Sequence, residues 1–272
     1  MSNTQLRIIS AIGLLLIVFG AAFFGRIPFL ALLTVVGTLV LDEFIVNFLS
    51  FSRKHVSYIL AQGSFVFGFG YLNFMEPNEP FFQAFNNAGL ALDVLLLLFL
   101  FMSKKDSKLL IKYLKASTFL MGVVFLIPFM NLAALIHPPQ WRLLLTGLVV
   151  LNFSVDSGAW VVGKNFGKRK LWPSVSPKKT VEGFIGGVLS SIILTGIFWK
   201  VSFNLLSFQI VVAFLVIACC SQLGDLVQSK MKRQFNIKDS SQLIPGHGGM
   251  YDRVDSLLFV APLFLFVVKN LR

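Results

Sequence analysis

The chain has 272 residues, 56% of them hydrophobic and only 13% charged, and its mean hydropathy is +0.79. These values exclude an ordinary soluble domain and are typical of a protein that crosses a membrane several times. The net charge of +12 is concentrated in a few loops, which indicates membrane topology and anionic ligands rather than nucleic acid.

Nine apolar stretches predict an all-α, polytopic integral membrane protein with about nine transmembrane helices. A helix needs about 20 mostly apolar residues to cross a bilayer, and the alternating strands of a membrane barrel are not visible. The first stretch is long for a signal sequence and has no clear cleavage site, so we expect it to be retained. The nine stretches are residues 8–25, 27–51, 56–74, 83–103, 116–136, 143–163, 181–199, 204–227 and 252–268.

Lysines and arginines collect in the loops after the second, fourth, sixth and eighth predicted helices. Loops rich in these residues usually face the cytoplasm, so the pattern predicts a cytoplasmic N-terminus and a C-terminus outside. We divide the chain into N-terminal scaffold helices at residues 1–140 and a catalytic region at residues 141–272. The catalytic region carries two basic loops on the cytoplasmic side.

Four acidic residues fall inside the second, fourth and sixth predicted helices, where an ionised side chain needs a partner and marks a candidate functional site. Asp156 lies in the sixth helix, close in sequence to a basic loop, and is a candidate for the substrate site. Asp93 lies in the fourth helix, and Asp42 and Glu43 lie in the second. The sequence leaves open whether these three line the same cavity or pair locally.

A polar segment precedes the seventh predicted helix and can bind phosphate. Lysines and a hydroxyl at a helix start can donate to phosphate oxygens, and the helix dipole favours an anion there. Alternatively, the lysines only set topology or contact anionic lipid, a reading that we favour for Lys168–Lys170. Thr180 also fits a helix N-cap, in which case Glu182 is structural. The phosphate-site candidates are Ser176, Lys178, Lys179, Thr180 and Glu182.

The densest polar segment, Ser229–Asp255, lies between two apolar helices. Asp252 and Asp255 are three residues apart, so on a helix they share a face. Asp225 lies near the end of the preceding helix, and three carboxylates brought together would repel unless they share a divalent cation. Two alternatives stay open, because Asp252 can interact with the helix dipole and Asp225 can pair with Arg253 or a lysine.

Three glycines within Pro245–Gly249 allow the backbone to approach a ligand closely and to expose N–H groups to an anion. His247, within this turn, is a candidate phosphate donor or proton carrier. A glycine-rich turn or a single loop histidine more often has neither role, but this turn directly precedes a helix that begins with two acids.

Ser229–Asp255 resembles, without a gap, the signature of the CDP-diacylglycerol synthase (phosphatidate cytidylyltransferase) family. Residues 156–187 are also similar to the family, with Trp160 where tyrosine is expected, whereas the first half matches only as hydrophobic helices. The matching signature positions are Ser229, Lys232, Arg233, Lys238, Asp239, Pro245, His247, Gly248, Gly249, Asp252, Arg253 and Asp255.

The resemblance implies an Mg²⁺-dependent transfer of CMP from CTP to phosphatidate, giving CDP-diacylglycerol and pyrophosphate in phospholipid biosynthesis. It implies a bacterial inner-membrane enzyme whose active site faces the cytoplasm. Mg²⁺, with or without a second cation, would be held by Asp225, Asp252 and Asp255. The residues expected to neutralise phosphates are Lys232, Arg233, Lys238, His247 and Arg253. Further substrate-binding candidates are Ser176, Lys178, Lys179, Thr180, Glu182, Asp239, Gly248, Gly249 and Asp156.

Two other functions are compatible with the same residues. A CTP-dependent lipid kinase would use similar carboxylates and basic loops but would pass a phosphoryl group to an alcohol. A transporter of an anionic solute would also use intramembrane acids and basic loops. The sequence leaves open whether the chain forms a homodimer.

Overall fold

The computed structural model of this chain describes residues 3–75, 79–103, 108–246 and 248–270. Within these ranges the chain is almost entirely helical. Short helical turns of other types lie at Phe44–Phe48 after α2, at Tyr71–Met75 after α3 and at Thr118–Leu120 before α6. The α-helices are α1 (Asn3–Phe24), α2 (Arg26–Glu43), α3 (Val56–Gly70), α4 (Glu79–Met102), α5 (Lys108–Ala116), α6 (Met121–Ala134), α7 (Trp141–Phe166), α8 (Val181–Phe203), α9 (Phe208–Gln234) and α10 (Tyr251–Asn270).

A helix occupies each of the nine predicted stretches. In the described part of the chain, five helical segments are long and apolar enough to cross a membrane, which confirms the prediction of several membrane-crossing helices. The count of nine spans stays a prediction. The five segments are Arg26–Phe48, Glu79–Met102, Trp141–Phe166, Val181–Phe203 and Phe208–Gln234, and Ile9–Phe24 and Thr118–Ala134 are shorter apolar helices.

A small β-hairpin interrupts the helices, so the all-α prediction is wrong for this segment. Strand β1 (Lys170–Trp172) pairs antiparallel with β2 (Ser176–Thr180), and Lys170 lies opposite Thr180. Strands of three and five residues are too short to show the alternating pattern by which a strand is predicted. The hairpin leads directly into α8.

One compact unit comprises the described parts of residues 1–88, 104–137 and 232–254. Phe44, Phe48, Phe125 and Tyr251 form an aromatic cluster in its core, with ring centroids 5.1–6.3 Å apart. This cluster packs the first turn of α10 against the helical turn at Phe44–Phe48 and against α6. The signature segment thus folds onto the N-terminal helices, a grouping that sequence order does not indicate.

The second compact unit comprises the described parts of residues 89–103, 138–231 and 255–272. Helix α7 packs along α8. Ser221 Oγ donates to Asn152 Oδ1 at 2.7 Å, and Asn152 Nδ2 donates to Ser256 Oγ at 3.0 Å, so buried hydrogen bonds join α7 to α9 and α10. The functional division at residue 140 stays a prediction.

Candidate active site

Asp252 lies in the first turn of α10 and is almost completely buried, with 6% of its side chain exposed. Lys232 Nζ lies 2.8 Å from its Oδ1 atom. The backbone N–H groups of Ser240 and Gly249 donate to Oδ2 at 2.8 and 3.1 Å. Asp252 therefore connects the end of α9 and the intervening loop to the start of α10.

These hydrogen-bond donors keep the Asp252 carboxylate ionised. Burial raises the pKa of its carboxyl, but the hydrogen bond and charge of Lys232 and the two backbone N–H groups together outweigh it. The net pKa lies below the ordinary aspartate value, so the carboxylate is ionised at neutral pH. The contact with Gly249 also agrees with the structural alternative, an acid at a helix N-terminus.

The glycine-rich turn has the backbone conformation that its composition predicts. Gly246 and Gly248 have positive φ angles of 75° and 86°. Residues with a side chain rarely adopt this backbone conformation, whereas glycine adopts it readily. Ile244 N donates to the Gly248 carbonyl oxygen at 2.8 Å and closes the turn. His247 lies outside the described residues.

A cavity of about 710 Å³ lies beside this turn. Four of the predicted binding residues line it together, namely Lys238, Asp239, Gly248 and Arg253. Two cationic side chains outnumber the one carboxylate, and with the glycine backbone they form an environment that suits a phosphate group. Arg233, also predicted, is exposed and lies 3.4 Å from the Ile237 carbonyl oxygen.

Glu43, whose role the sequence left open, accepts four hydrogen bonds from the loop at residues 240–251. It is 3% exposed and lies at the end of α2. Its carboxylate accepts from Ser240 Oγ and Ser241 Oγ at 2.8 and 2.6 Å, and from the N–H groups of Met250 and Tyr251 at 2.8 and 2.9 Å. Asp42 instead pairs with Arg53 at 2.8 Å, which is the local pairing that the sequence analysis allowed.

In the second unit, Asp225 pairs with a lysine, one of the alternatives that the sequence left open. Lys179 Nζ lies 2.5 Å from Asp225 Oδ2 and donates to the Gln222 carbonyl oxygen at 3.3 Å. Ser229 Oγ lies 3.5 Å from Asp225 Oδ1. The predicted phosphate lysine and the predicted metal carboxylate are therefore direct neighbours.

The start of α8 is organised by its own side chains. Thr180 Oγ1 accepts from Gly183 N at 3.1 Å, which confirms the predicted N-cap. Glu182 accepts from the N–H groups of Lys168 and Arg169 at 3.0 and 3.1 Å and from Arg169 Nε at 3.1 Å. Glu182 thus holds the loop before β1, as the structural alternative predicts.

The remaining predicted residues lie on β2, α7 and α10. Lys178 is exposed on β2, and Ser176 is half-buried on the same strand. Asp156 is exposed on α7, and Asp255 is half-buried on α10, where its Oδ1 atom accepts from Ser256 N at 2.7 Å.

The carboxylates of Asp225, Asp252 and Asp255 are chemically suited to bind a cation. Among the residues that the structure describes, no group of three or more acidic, histidine or cysteine side chains is arranged to hold a metal ion. Asp225 and Asp252 each have a lysine ammonium group within 2.8 Å. Carboxylate oxygens are the ligands that Mg²⁺ prefers, and the Asp252 carboxylate is ionised. The role of the three predicted metal ligands stays a prediction.

Comparison with known proteins identifies similar sequences. Residues 5–271 match the profile of a family described as "Cytidylyltransferase family". The chain is 48% identical over 120 residues to a protein named "Phosphatidate cytidylyltransferase" from Bacillus subtilis (strain 168), covering 44% of this chain and 45% of that protein. It is 49% identical over 109 residues to a protein of the same name from Staphylococcus aureus (strain COL), covering 40% and 42% respectively. The aligned segments thus span less than half the length of these relatives.

Proposed function

Because this chain belongs to the cytidylyltransferase family, we propose that it transfers CMP from CTP to phosphatidate, giving CDP-diacylglycerol and pyrophosphate. The observation that carries this proposal is the cavity beside the glycine-rich turn, which joins Lys238 and Arg253 to a glycine backbone. Both substrates are polyanions, and one of them is a lipid. A cationic cavity in a chain with several apolar helices suits both properties.

The proposed reaction needs positioning and charge neutralisation more than a strong base. An anionic oxygen of the phosphatidate phosphate attacks the α-phosphorus of CTP and forms a new P–O bond. The bond from the α-phosphorus to the oxygen that bridges it to the β-phosphorus breaks, and pyrophosphate leaves with that electron pair. The attacking oxygen is already deprotonated near neutral pH, so alignment and electrostatics supply most of the rate enhancement.

The cationic side chains are proposed to neutralise the phosphates. Lys178 and Ser176 on β2 would donate to phosphate oxygens, and Thr180 would keep the start of α8 in place through its cap. Lys179 and Lys232 would do the same from their places beside Asp225 and Asp252. Arg233, Lys238, His247 and Arg253 complete the proposed set.

Mg²⁺ is the proposed cofactor, with or without a second cation. The residues proposed to hold it are Asp225, Asp252 and Asp255. When bound, the ion would neutralise charge on the CTP phosphates. The ionised state of Asp252, a charged oxygen donor, supports this assignment.

We place the enzyme in a bacterial inner membrane with its active site facing the cytoplasm. The basic loops support this orientation through the positive-inside rule, with the N-terminus inside and the C-terminus outside. CTP is a cytoplasmic nucleotide, so a site on this side can meet both CTP and a lipid headgroup.

The test follows two labels of CTP through the purified protein in detergent. With phosphatidate and Mg²⁺, we expect label at the α-phosphorus to enter the lipid and label at the γ-phosphorus to leave as pyrophosphate. In a parallel assay with a lipid alcohol in place of phosphatidate, label from the γ-phosphorus in the lipid, together with CDP, would instead identify a lipid kinase. Unchanged CTP and phosphatidate would contradict the proposal and favour a transporter.

A further inference from the structure

We propose that Glu43 is a positioning residue that sets the geometry of the loop at residues 240–251 and, through it, the orientation of Asp252. The proposal rests on the proposed function, since it concerns the same cavity and carboxylate. Glu43 belongs to α2, far in sequence from the segment Ser229–Asp255. Its partners lie 197 to 208 residues further along the chain.

The contacts of Glu43 converge on both ends of the loop. Both of its oxygens are used at each end, since Ser240 and Ser241 donate hydroxyls at 2.8 and 2.6 Å and Met250 and Tyr251 donate backbone N–H groups at 2.8 and 2.9 Å. One buried carboxylate therefore closes the loop as a clamp. Hydrogen bonds to an ionised acceptor are roughly twice as strong as neutral ones.

The N–H groups of Met250 and Tyr251 belong to the N-terminus of α10. The first N–H groups of a helix have no partner within the helix, and the dipole favours an anion there. Glu43 supplies that anion from another helix. It thereby fixes where α10 begins and which way its first turn, with Asp252, faces.

Ser240 connects Glu43 to Asp252 directly. Its hydroxyl donates to Glu43 Oε2 at 2.8 Å, while its backbone N–H donates to Asp252 Oδ2 at 2.8 Å. Asn47 Nδ2 holds the Ser240 carbonyl oxygen at 2.7 Å. A shift of the Glu43 carboxylate would move Ser240 and change the hydrogen bond that orients Asp252.

Gly249 shows how closely this arrangement is packed. A side chain there would overlap the Ser240 hydroxyl and the Glu43 carboxylate, so glycine is required by close approach. The Gly249 N–H donates to Asp252 Oδ2 at 3.1 Å. Glu43, Ser240, Gly249 and Asp252 therefore form one connected cluster beside the cavity.

The test compares Glu43→Gln with Asp42→Asn, a matched loss of charge at the neighbouring residue of α2. A glutamine has one acceptor oxygen and cannot accept from all four donors, so we expect kcat per folded molecule to fall about 10- to 100-fold, the effect of displacing reacting groups by about 1 Å. We expect Asp42→Asn to keep kcat within about twofold, because Asp42 is bound by Arg53 and Tyr58 and not by the loop at residues 240–251. Activity is divided by the folded fraction, since loss of stability alone does not change kcat per folded molecule.

Hydrogen exchange supplies a second readout that does not depend on activity. In Glu43→Gln the amides of Met250 and Tyr251 should exchange faster, while those of α8 should not change. Wild-type protein that makes no CDP-lipid would overturn the proposed function, and the exchange measurement would still test the clamp. Unchanged kcat in Glu43→Gln, or faster exchange spread evenly over the chain, would overturn the positioning role. If Glu43→Gln does not fold, Ser241→Ala replaces it, and unchanged kcat and exchange in that variant would overturn the proposal.

Discussion

Asp252 keeps its charge in a buried place because its donors outweigh its burial. The folded-state pKa is lowered, chiefly by Lys232 after the opposing effect of burial. A lowered pKa means that the charged form adds stability above the unfolded value of about 3.9, and that this stability is lost as the pH falls through the folded value.

The first prediction concerns Asp252→Asn, which removes that charge and leaves Lys232 without its carboxylate. We expect the free energy of unfolding to fall by about 3 kcal/mol at pH 7, as for other broken buried pairs. The difference from wild type should shrink below about pH 4, where the wild-type carboxylate also becomes protonated. Thermal unfolding in detergent from pH 7 to pH 3 measures this, and a difference that does not change with pH would contradict it.

The second prediction concerns Gly249→Ala, which places a methyl group against Ser240 and Glu43. Overpacking of this kind costs about 1–3 kcal/mol, so we expect a lower melting temperature. Gly63→Ala is the control, because no atom lies within 4 Å of a methyl group at that position of α3. A helix-interior alanine there should be neutral or stabilising by up to about 1 kcal/mol. Equal effects of the two variants would refute the close approach.

At the scale of residues, the sequence predicts contacts that lie close along the chain and misses those that do not. The Thr180 cap follows from the Ser-x-x-x-Thr-x-Glu pattern before an apolar helix and is confirmed. Nothing in the sequence pairs Glu43 with Ser240, because no periodic pattern relates residues 197 positions apart.

At the scale of elements, Lys230 binds the C-terminal end of helix α4 through its ammonium group. Its ammonium group donates to the carbonyl oxygens of Phe99, Leu100 and Ser103 at 3.2, 2.7 and 2.7 Å, at the C-terminus of α4. Carbonyls in the last turn of a helix have no partner within it, and the dipole favours a cation there. The sequence groups Lys230 with the cations of Ser229–Asp255, but the structure uses it to hold α4.

The third prediction is that Lys230→Met destabilises the protein by about 1–3 kcal/mol, because the carbonyls lose their donor. We expect kcat per folded molecule to stay within about twofold, since Lys230 contacts a helix end. Lys200→Met, at an exposed position of α8, is the control and should have little effect on melting temperature. A large fall in kcat with unchanged stability would place Lys230 in the active site instead.

The apolar helices could be predicted because their length and hydropathy are local properties. The β-hairpin could not, because its strands are short and show no alternation of apolar and polar residues. The hairpin still matters for the site, since β2 carries Lys178 and Lys179 into the start of α8.

At the scale of the whole molecule, the proposed orientation makes the fourth prediction. Single cysteines at Lys54 and Lys269 are introduced after Cys219 and Cys220 are replaced by serine. In intact cells we expect a membrane-impermeant maleimide to label Lys269→Cys and not Lys54→Cys, as the positive-inside rule requires. Labelling both sites after the membrane is opened is the control, and the reverse pattern in intact cells would invert the topology.

The most direct test of the central claim is the turnover of CTP and phosphatidate by purified wild-type protein and Asp255→Asn, each with and without Mg²⁺. The account predicts that wild type forms CDP-diacylglycerol and pyrophosphate only with Mg²⁺. It also predicts that Asp255→Asn loses at least about 100-fold in kcat while it stays folded and inserted. Near-normal turnover in Asp255→Asn, or CDP-lipid formation that a metal chelator does not reduce, would contradict the account.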